Sequence, residues 1–528
     1  MKRHELIVIG AGPAGLSAAI EAAKAGMDVA VFDENARPGG QLFKQIHKFF
    51  GSKEHHAKER GFHIGEELLA EAEEAGVKVF LNATVMGIYG EKEVTVKMDG
   101  SVHHYKGDAI IIATGAAENM VPFRGWDTPG VIGAGAAQAL MNLQGVRPGQ
   151  KVLMVGSGNV GLVVSFQLLQ AGCEVVAVID AAPRVGGYGV HAAKVARTGV
   201  PFLMSHTVIE AKGGDRVTSA VIAAVDDHFQ PIPGTEQELE VDTICIAVGL
   251  SPMSQLASNA TCDMALVPKK GGNVALLDEY GETSVKGIYC AGDVAGIEEA
   301  SSAMIQGRKV AAHVCYQAGY LTQEAFEEKY RADQAALDQL RQGMFAPQNK
   351  GRTDFTETEE GYPISKTLLA RGFVTEEELA NFPSYSYEKA GVHPVIECTQ
   401  NIPCNPCQDA CPMHCIRVGA NITMLPAIDA EKSCIGCGMC VASCSGQAIF
   451  LVDETYEEGY AAIGFPYEFL PVPAVGDKGT ALDRQGKPVC EAEIVNVKTI
   501  PAMDKTAVVT MKVPVQYVHA ARFYKKDV

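Results

Sequence analysis

The sequence predicts an α/β chain with two Rossmann-like dinucleotide-binding domains, one inserted in the other, then a cysteine-rich segment and a small β-rich tail. Three observations predict it. The turn Gly10-x-Gly12-x-x-Gly15 follows a short apolar run and opens an Ala-rich stretch. The same grammar recurs at Gly156-x-Gly158-x-x-Gly161. Nine of the 15 cysteines crowd between positions 398 and 444.

Length and charge set the bounds. A chain of 528 residues has room for three or four domains with real cores. The apolar fraction is 47% and the charged fraction 20%, an ordinary globular profile. The formal charge of −18 argues against nucleic acid as a partner, since phosphate binding needs a basic face. No apolar run reaches the roughly 18 residues that a membrane-spanning helix needs. The start, "MKRHELIVIGAGPAG", reads as a first strand rather than a targeting segment, because its apolar run breaks at Gly10. Clustered thiols in such a chain suggest metal binding and a cytoplasmic setting, not a disulfide framework.

Two more landmarks order the units. "AIIIATG" runs a buried strand into Ala113, Thr114 and Gly115, and "GIYCAGD" ends at Gly292 and Asp293. The expected organisation is a first nucleotide domain over 1–118 and 280–345, with a second inserted over 119–279. A connector over 346–390, a cysteine domain over 391–455 and a tail over 456–528 follow. Alternating runs such as "AEIVNV" and "AVVTMKV" make the tail β-rich.

At each glycine motif the first Gly permits a tight turn and the second lets backbone approach a pyrophosphate. The third lets helix and strand pack closely. Free N–H groups and the helix dipole then favour an anion at the helix N-terminus. Asp33 and Asp180 end the following strands, where an acid accepts from ribose hydroxyls. At the second motif Asp180 disfavours a 2′-phosphate, so NADH is expected over NADPH, with Arg184 as a counterweight. A retained fold with a silent second site is the competing reading. Its residues are Gly156, Gly158, Asn159, Gly161 and Asp180.

With "PGGQ" at 38–41 and the ATG and AGD segments in order, the chain resembles the two-dinucleotide-domain flavoproteins that include thioredoxin and glutathione reductases. The resemblance covers about residues 1–340 and implies FAD at the first motif. It carries over to Gly10, Gly12, Pro13, Ala14, Gly15, Asp33, Glu34, Gly40, Gln41 and Val85, and to Ala113, Thr114, Gly115, Gly292 and Asp293. It also implies that the Asp293 carboxylate bonds the ribityl chain. No CxxC pair occurs before residue 390, so the redox dithiol of a disulfide reductase is missing. Cys173, Cys245, Cys262, Cys290 and Cys315 stand singly and read as small core residues.

The run Cys434-x2-Cys437-x2-Cys440-x3-Cys444 has the spacing of a bacterial ferredoxin half-motif, with Ser445 in place of the usual proline. The earlier run is irregular. Cys404, Cys407 and Cys411 keep the spacing, but position 401 is Asn, and Cys398 is the candidate replacement. Aligning "CPMHCI" with "CSGQAI" sets Cys415 opposite Ala448 and makes it a core residue. The expectation is two [4Fe–4S] clusters with crossed ligands, at least one being present. One takes Cys411, Cys434, Cys437 and Cys440, and the other Cys398, Cys404, Cys407 and Cys444. A single cluster on the regular run and a zinc site are the alternatives. His47, His55, His56 and His63 face either a flavin or a partner, or lie on a solvated helix face.

The order of flavin unit, inserted unit and C-terminal iron–sulfur region, with "PGGQLFKQ", looks like the flavin subunits of multi-subunit amine and amino-acid dehydrogenases. That group includes dye-linked L-proline dehydrogenase, hydrogen cyanide synthase, opine oxidase and sarcosine oxidase α-type chains. The ferredoxin-like segment departs from those that carry a [2Fe–2S] domain with fewer cysteines. The resemblance implies an electron-relay subunit whose partner is a second flavoprotein of the amine-oxidising type. A small iron–sulfur subunit or a ferredoxin is a further expected partner. A self-contained NADH:acceptor oxidoreductase is the alternative function, and an inert iron–sulfur scaffold or sensor is the third.

Overall fold

The computed structural model describes residues 1–352, 354–385 and 391–526. Positions 353 and 386–390 of the expected connector, and the last two of the tail, lie outside the described residues. The chain divides into two units, Met1–Glu118 with Gly249–Gly351, and Asn119–Val248 with Arg352–Val528.

The first unit is built on one mixed sheet. Its parallel strands run in the order Lys78–Phe80, Val29–Phe32, Lys2–Ile9 and Ser101–Ile112, with Ile288–Cys290 also pairing with the last. Two antiparallel strands, Glu93–Met98 and Thr84–Tyr89, extend the far edge. Leu6, Ile7 and Val8, like Ile110, Ile111 and Ile112, are fully buried. Continuous apolar runs of this kind are what strands covered on both faces require. The helix Pro13–Lys24 starts with Pro at its first position, where the missing N–H costs nothing, and packs on the helix Ala300–Gln317.

Residues 249–279 join this first unit, whereas the sequence reading placed them in the insertion. Two contacts account for it. Leu250–Pro252 pairs antiparallel with Ala116–Glu118. Ala257, Ala260, Cys262 and Ala275 share a core with Ile7, Phe32 and Ile110.

The second unit repeats the parallel design. Its five strands run Phe202–Met204, Glu174–Asp180, Lys151–Val155, Thr243–Ile246 and Val131–Gly133. An antiparallel three-stranded sheet, His206–Lys212, Ser219–Ala224 and Gln237–Glu240, lies beside them.

The C-terminal part forms one seven-stranded antiparallel sheet. Two of its strands, His393–Ile396 and Ile449–Glu457, belong to the stretch expected to form a separate cysteine domain. They pair with Ile396 opposite Ile449. The cysteine segment therefore spans two neighbouring strands of the tail's own sheet. Glu397 N–H donates to Ala448 O at 2.8 Å, which brings Cys398 back to the region of Cys444. The connector folds as short helices Lys366–Arg371 and Glu376–Leu379, the second opened by a Thr375–Glu378 capping box.

Candidate functional site

The first glycine turn is forced by crowding. Gly10 has φ +106°, and a Cβ there would lie 2.3 Å from Ala113 O. A Cβ on Gly15 would lie 1.9 Å from Gly10 O. A Cβ on Gly12 would meet nothing within 4 Å, so the second glycine faces open space. Gly12 caps the helix without a side-chain hydrogen bond, which leaves the N-terminal amides available to an anion.

The remaining residues expected at the first site gather around this turn. Asp33 is buried, accepting from Ala11 N–H at 2.7 Å and from Asn35 N–H at 2.8 Å. Glu34 and Gln41 are exposed beside it. Gly39 N–H donates to Ala11 O at 2.7 Å, and a Cβ on Gly40 would lie 2.9 Å from Gly12 Cα. Ala83 N–H donates to Asp33 O at 2.9 Å and returns the Val85 strand to the acid; Val85 itself is half-buried.

Ala113 N–H donates to Ile9 O, and Thr114 Oγ1 donates to Met253 O at 2.8 Å. Gly115 has φ +72° with open space at its Cβ position. A Gly292 Cβ would lie 2.8 Å from that of Ala14, so the AGD turn abuts the helix that Pro13 and Ala14 begin. Asp293 Oδ1 accepts from Glu298 N–H at 3.1 Å, and burial pushes its carboxyl up to about 6. An open second glycine, a bare helix end and flanking acids fit a dinucleotide.

The second turn has the same crowding. Gly156 has φ +112° with a Cβ position 2.2 Å from Ala247 O, and that of Gly161 lies 2.1 Å from Gly156 O. Gly158 is open. Asp180 Oδ2 accepts from Ser157 N–H at 2.7 Å and Ser157 Oγ–H at 2.6 Å. Asn159 Oδ1 accepts from Tyr188 N–H at 2.8 Å. Gly187 N–H donates to Ser157 O, as Gly39 does to Ala11 O. The sequence reading singled out Gly40 but missed Gly186 and Gly187. The signal was present: "DENARPGG" and "DAAPRVGG" set their glycine pairs at the same distance from the acid.

The loop after Gly187 leads to the thiols. Gly189 N–H donates to Gln400 Oε1 at 2.7 Å, and a Cβ on Gly446 would lie 2.5 Å from Val190 Cγ2. Cys411, Cys434, Cys437 and Cys440 line one small cavity with Cys415. Burial, then Cys434, Cys437 and Cys411, raise the Cys440 thiol. Burial, then Cys444, Cys398 and Cys440, raise that of Cys407. Cys398 is pushed up to about 12 by burial and by Cys444. The thiols thus sort into two groups, called outer for Cys411, Cys434, Cys437 and Cys440, after the exposed Met413 and Ile435 beside them, and inner for Cys398, Cys407 and Cys444. Cys404 lies just before the Pro406–Asp409 helix that carries Cys407, its amide donating to Ile422 O at 2.8 Å. Cys415 is buried, and its amide donates to Cys411 Sγ at 3.3 Å. Gly436 and Ala448 amides reach Cys434 Sγ and Cys444 Sγ at 3.3 and 3.4 Å. Gathered thiols with amide donors aimed at sulfur are a donor set suited to iron–sulfur clusters.

Other expected candidates resolve differently. His55 is buried, its two nitrogens facing Ser52 Oγ at 2.7 Å and Ala336 O at 2.9 Å. It is a core histidine rather than a solvated one. His56 and His63 lie at the surface beside Glu59 and Glu66. The five single cysteines of the nucleotide units are buried. Among the described residues no helix is long and apolar enough to cross a membrane.

Comparisons agree with this geometry. An opine oxidase subunit of Agrobacterium tumefaciens is 30% identical over 345 residues, covering 58% of this chain and 64% of that one. Hydrogen cyanide synthase subunit HcnB of Pseudomonas aeruginosa is 27% identical over 359 residues, covering 64% and 77%. The match spans 64% of the length of that opine oxidase subunit and 61% of a Rhizobium meliloti one, under two thirds of each. Thioredoxin reductase of T. acidophilum, at 21% identity and a TM-score of 0.51, shares the fold over 60% of this chain and 99% of its own. The family model described as pyridine nucleotide-disulphide oxidoreductase matches residues 4–307, over half of the chain. The chain belongs to the pyridine nucleotide-disulphide oxidoreductase family and is a flavin oxidoreductase.

Proposed function

We propose that this chain is the electron-relay subunit of a multi-subunit amine or amino-acid dehydrogenase, proline being the model substrate class. One observation carries the reading: a flavin-oxidoreductase fold and two groups of thiols share a single chain. The similar proteins named as subunits of opine oxidase and hydrogen cyanide synthase support the multi-subunit setting.

FAD at Gly10, Gly12, Gly15 and Asp33 would supply two-electron chemistry, and [4Fe–4S] clusters at the two thiol groups one-electron chemistry. The chain's own residues do the rest. The amides beyond Gly12 bind an anion, and Asp33 and Asp293 orient hydroxyls. The outer thiols sit beside Met413 and Ile435, which are 40% and 59% exposed, within reach of a redox partner. That partner is a second flavoprotein subunit that meets the amine, with a small iron–sulfur protein or ferredoxin as an added carrier.

A second reading, an NADH:acceptor oxidoreductase, is favoured by the intact Asp180 site and its tie to Gln400. Anaerobic NADH titration of the purified chain separates the two. Bleaching of flavin and cluster absorbance by NADH establishes the second reading. Bleaching by dithionite alone supports the relay, and oxidation of proline or a similar amine by the isolated chain overturns it.

A further inference from the structure

The two thiol groups differ in the charges around them. Arg197 is 5% exposed, and its charge acts on the Cys444 thiol. It donates to Gln447 O at 2.9 Å and to Gln447 Oε1 at 3.2 Å, and lies 5.5 Å from the centre of the Phe450 ring. Arg522, fully buried, lies 5.3 Å from the same ring. Beside Cys398, Glu397 accepts from Arg484 Nη2 at 2.7 Å and from Arg522 Nε at 2.6 Å. Arg484 and Arg522 thus share the Glu397 carboxylate, whose charge also acts on Arg197. Glu468 and Glu360 also act on Arg197 and Cys398 respectively. Ala448 N–H donates to Cys444 Sγ at 3.4 Å, and Gln447 N–H donates to Cys444 O at 3.0 Å.

The outer group is set differently. Its neighbouring cation is Lys498, whose Nζ donates to Cys437 O at 2.7 Å and which remains half-exposed to water. A buried cation acts through a low local dielectric, whereas water screens an exposed one. Taking a guanidinium out of water is costly, and a nearby thiolate offsets that cost.

We propose that the buried Arg197 makes the inner thiol group the place where the first single electron on the iron–sulfur segment comes to rest. The proposal rests on the reading that clusters occupy both thiol groups. The added negative charge is held by the buried Arg197 guanidinium and by the Ala448 amide on Cys444. In the test the electron comes from dithionite, which is oxidised as the inner site is reduced, with no bond to the protein made or broken.

The experiment is a potentiometric titration of the full chain, followed by low-temperature electron paramagnetic resonance, after iron and sulfide analysis. Two resolved one-electron midpoints are expected in the native chain. Arg197→Met lowers the higher midpoint and leaves the lower one in place, while Arg197→Lys keeps both. Glu397→Gln removes the carboxylate and moves the higher midpoint the other way. A single merged wave in the native chain overturns the proposal without any variant. In iron-loaded variants, unmoved midpoints or equal shifts of both also overturn it. Iron-free native protein overturns the cluster reading itself, and the proposal with it.

Discussion

The two glycine turns share their backbone but not their surroundings. At the first, Ala14 is buried under the Ala300–Gln317 helix, where a Cβ on Gly307 would lie 2.1 Å from Ala14 O. At the second, the equivalent Val160 is 39% exposed. Asp33 serves the amides of Ala11 and Asn35, whereas Asp180 also takes the Ser157 hydroxyl. The first turn meets the Asp293 segment, and the second is tied by Gly189 to the thiol segment. One sequence pattern therefore yields two differently packed turns, one beside Asp293 and one linked to the cysteine segment. Packing, not the glycines, separates their roles.

The largest test breaks both turns equally. Gly10→Ala and Gly156→Ala each drive a Cβ into a carbonyl oxygen at a positive φ, costing about 3 to 5 kcal/mol. Only Gly10→Ala is expected to strip flavin, read by absorbance after gel filtration alongside thermal melts. Equal flavin loss in both variants contradicts the assignment of flavin to the first turn.

Next comes pH. Asp293 rises from 3.8 to about 6, mainly through burial. The folded value exceeds the unfolded one, so its stability contribution is complete below about pH 4 and is lost as pH rises through about 6. A shift of this size is worth at most about 3 kcal/mol. In flavin-free protein Asp293→Asn should gain stability relative to the native chain between about pH 4 and 7, read from urea midpoints. A flat difference across that window counts against a buried acid here.

The third test exchanges the coverings. Ala14→Val overpacks the contact with Gly292 and Gly307 and should cost about 1 to 3 kcal/mol. Val160→Ala should stay within about 0.5 kcal/mol. Similar losses in the two melts would erase the contrast.

The smallest effect concerns the nucleotide. Asp180→Ser should favour NADPH over NADH by about tenfold, or about 1.4 kcal/mol, in a flavin-reduction assay. No reduction by either nucleotide points to a silent second site.

Much of the chemistry was legible because it is local. Each glycine turn and its acid occupy one short βαβ stretch, so spacing alone exposes them. The regular cysteine run is likewise consecutive, so its spacing is visible without the fold. The boundary near 249 was not legible, since it depends on Leu250–Pro252 pairing with a strand more than a hundred residues earlier. His55 gave no local hint of burial, because Ala336 O, its partner, lies 281 positions away.

By itself, the sequence determined the α/β class, the two nucleotide turns and a thiol-rich segment, because those depend on residue types at short spacing. The tertiary structure decided what surrounds them. It joined the cysteine segment to the tail's sheet through the register of Ile396 with Ile449. It also paired Arg484 and Arg522 with Glu397, and Arg197 with Gln447, from distant parts of the chain. Charge acts through space, and no spacing rule reports which distant guanidinium a fold will bury beside a given sulfur.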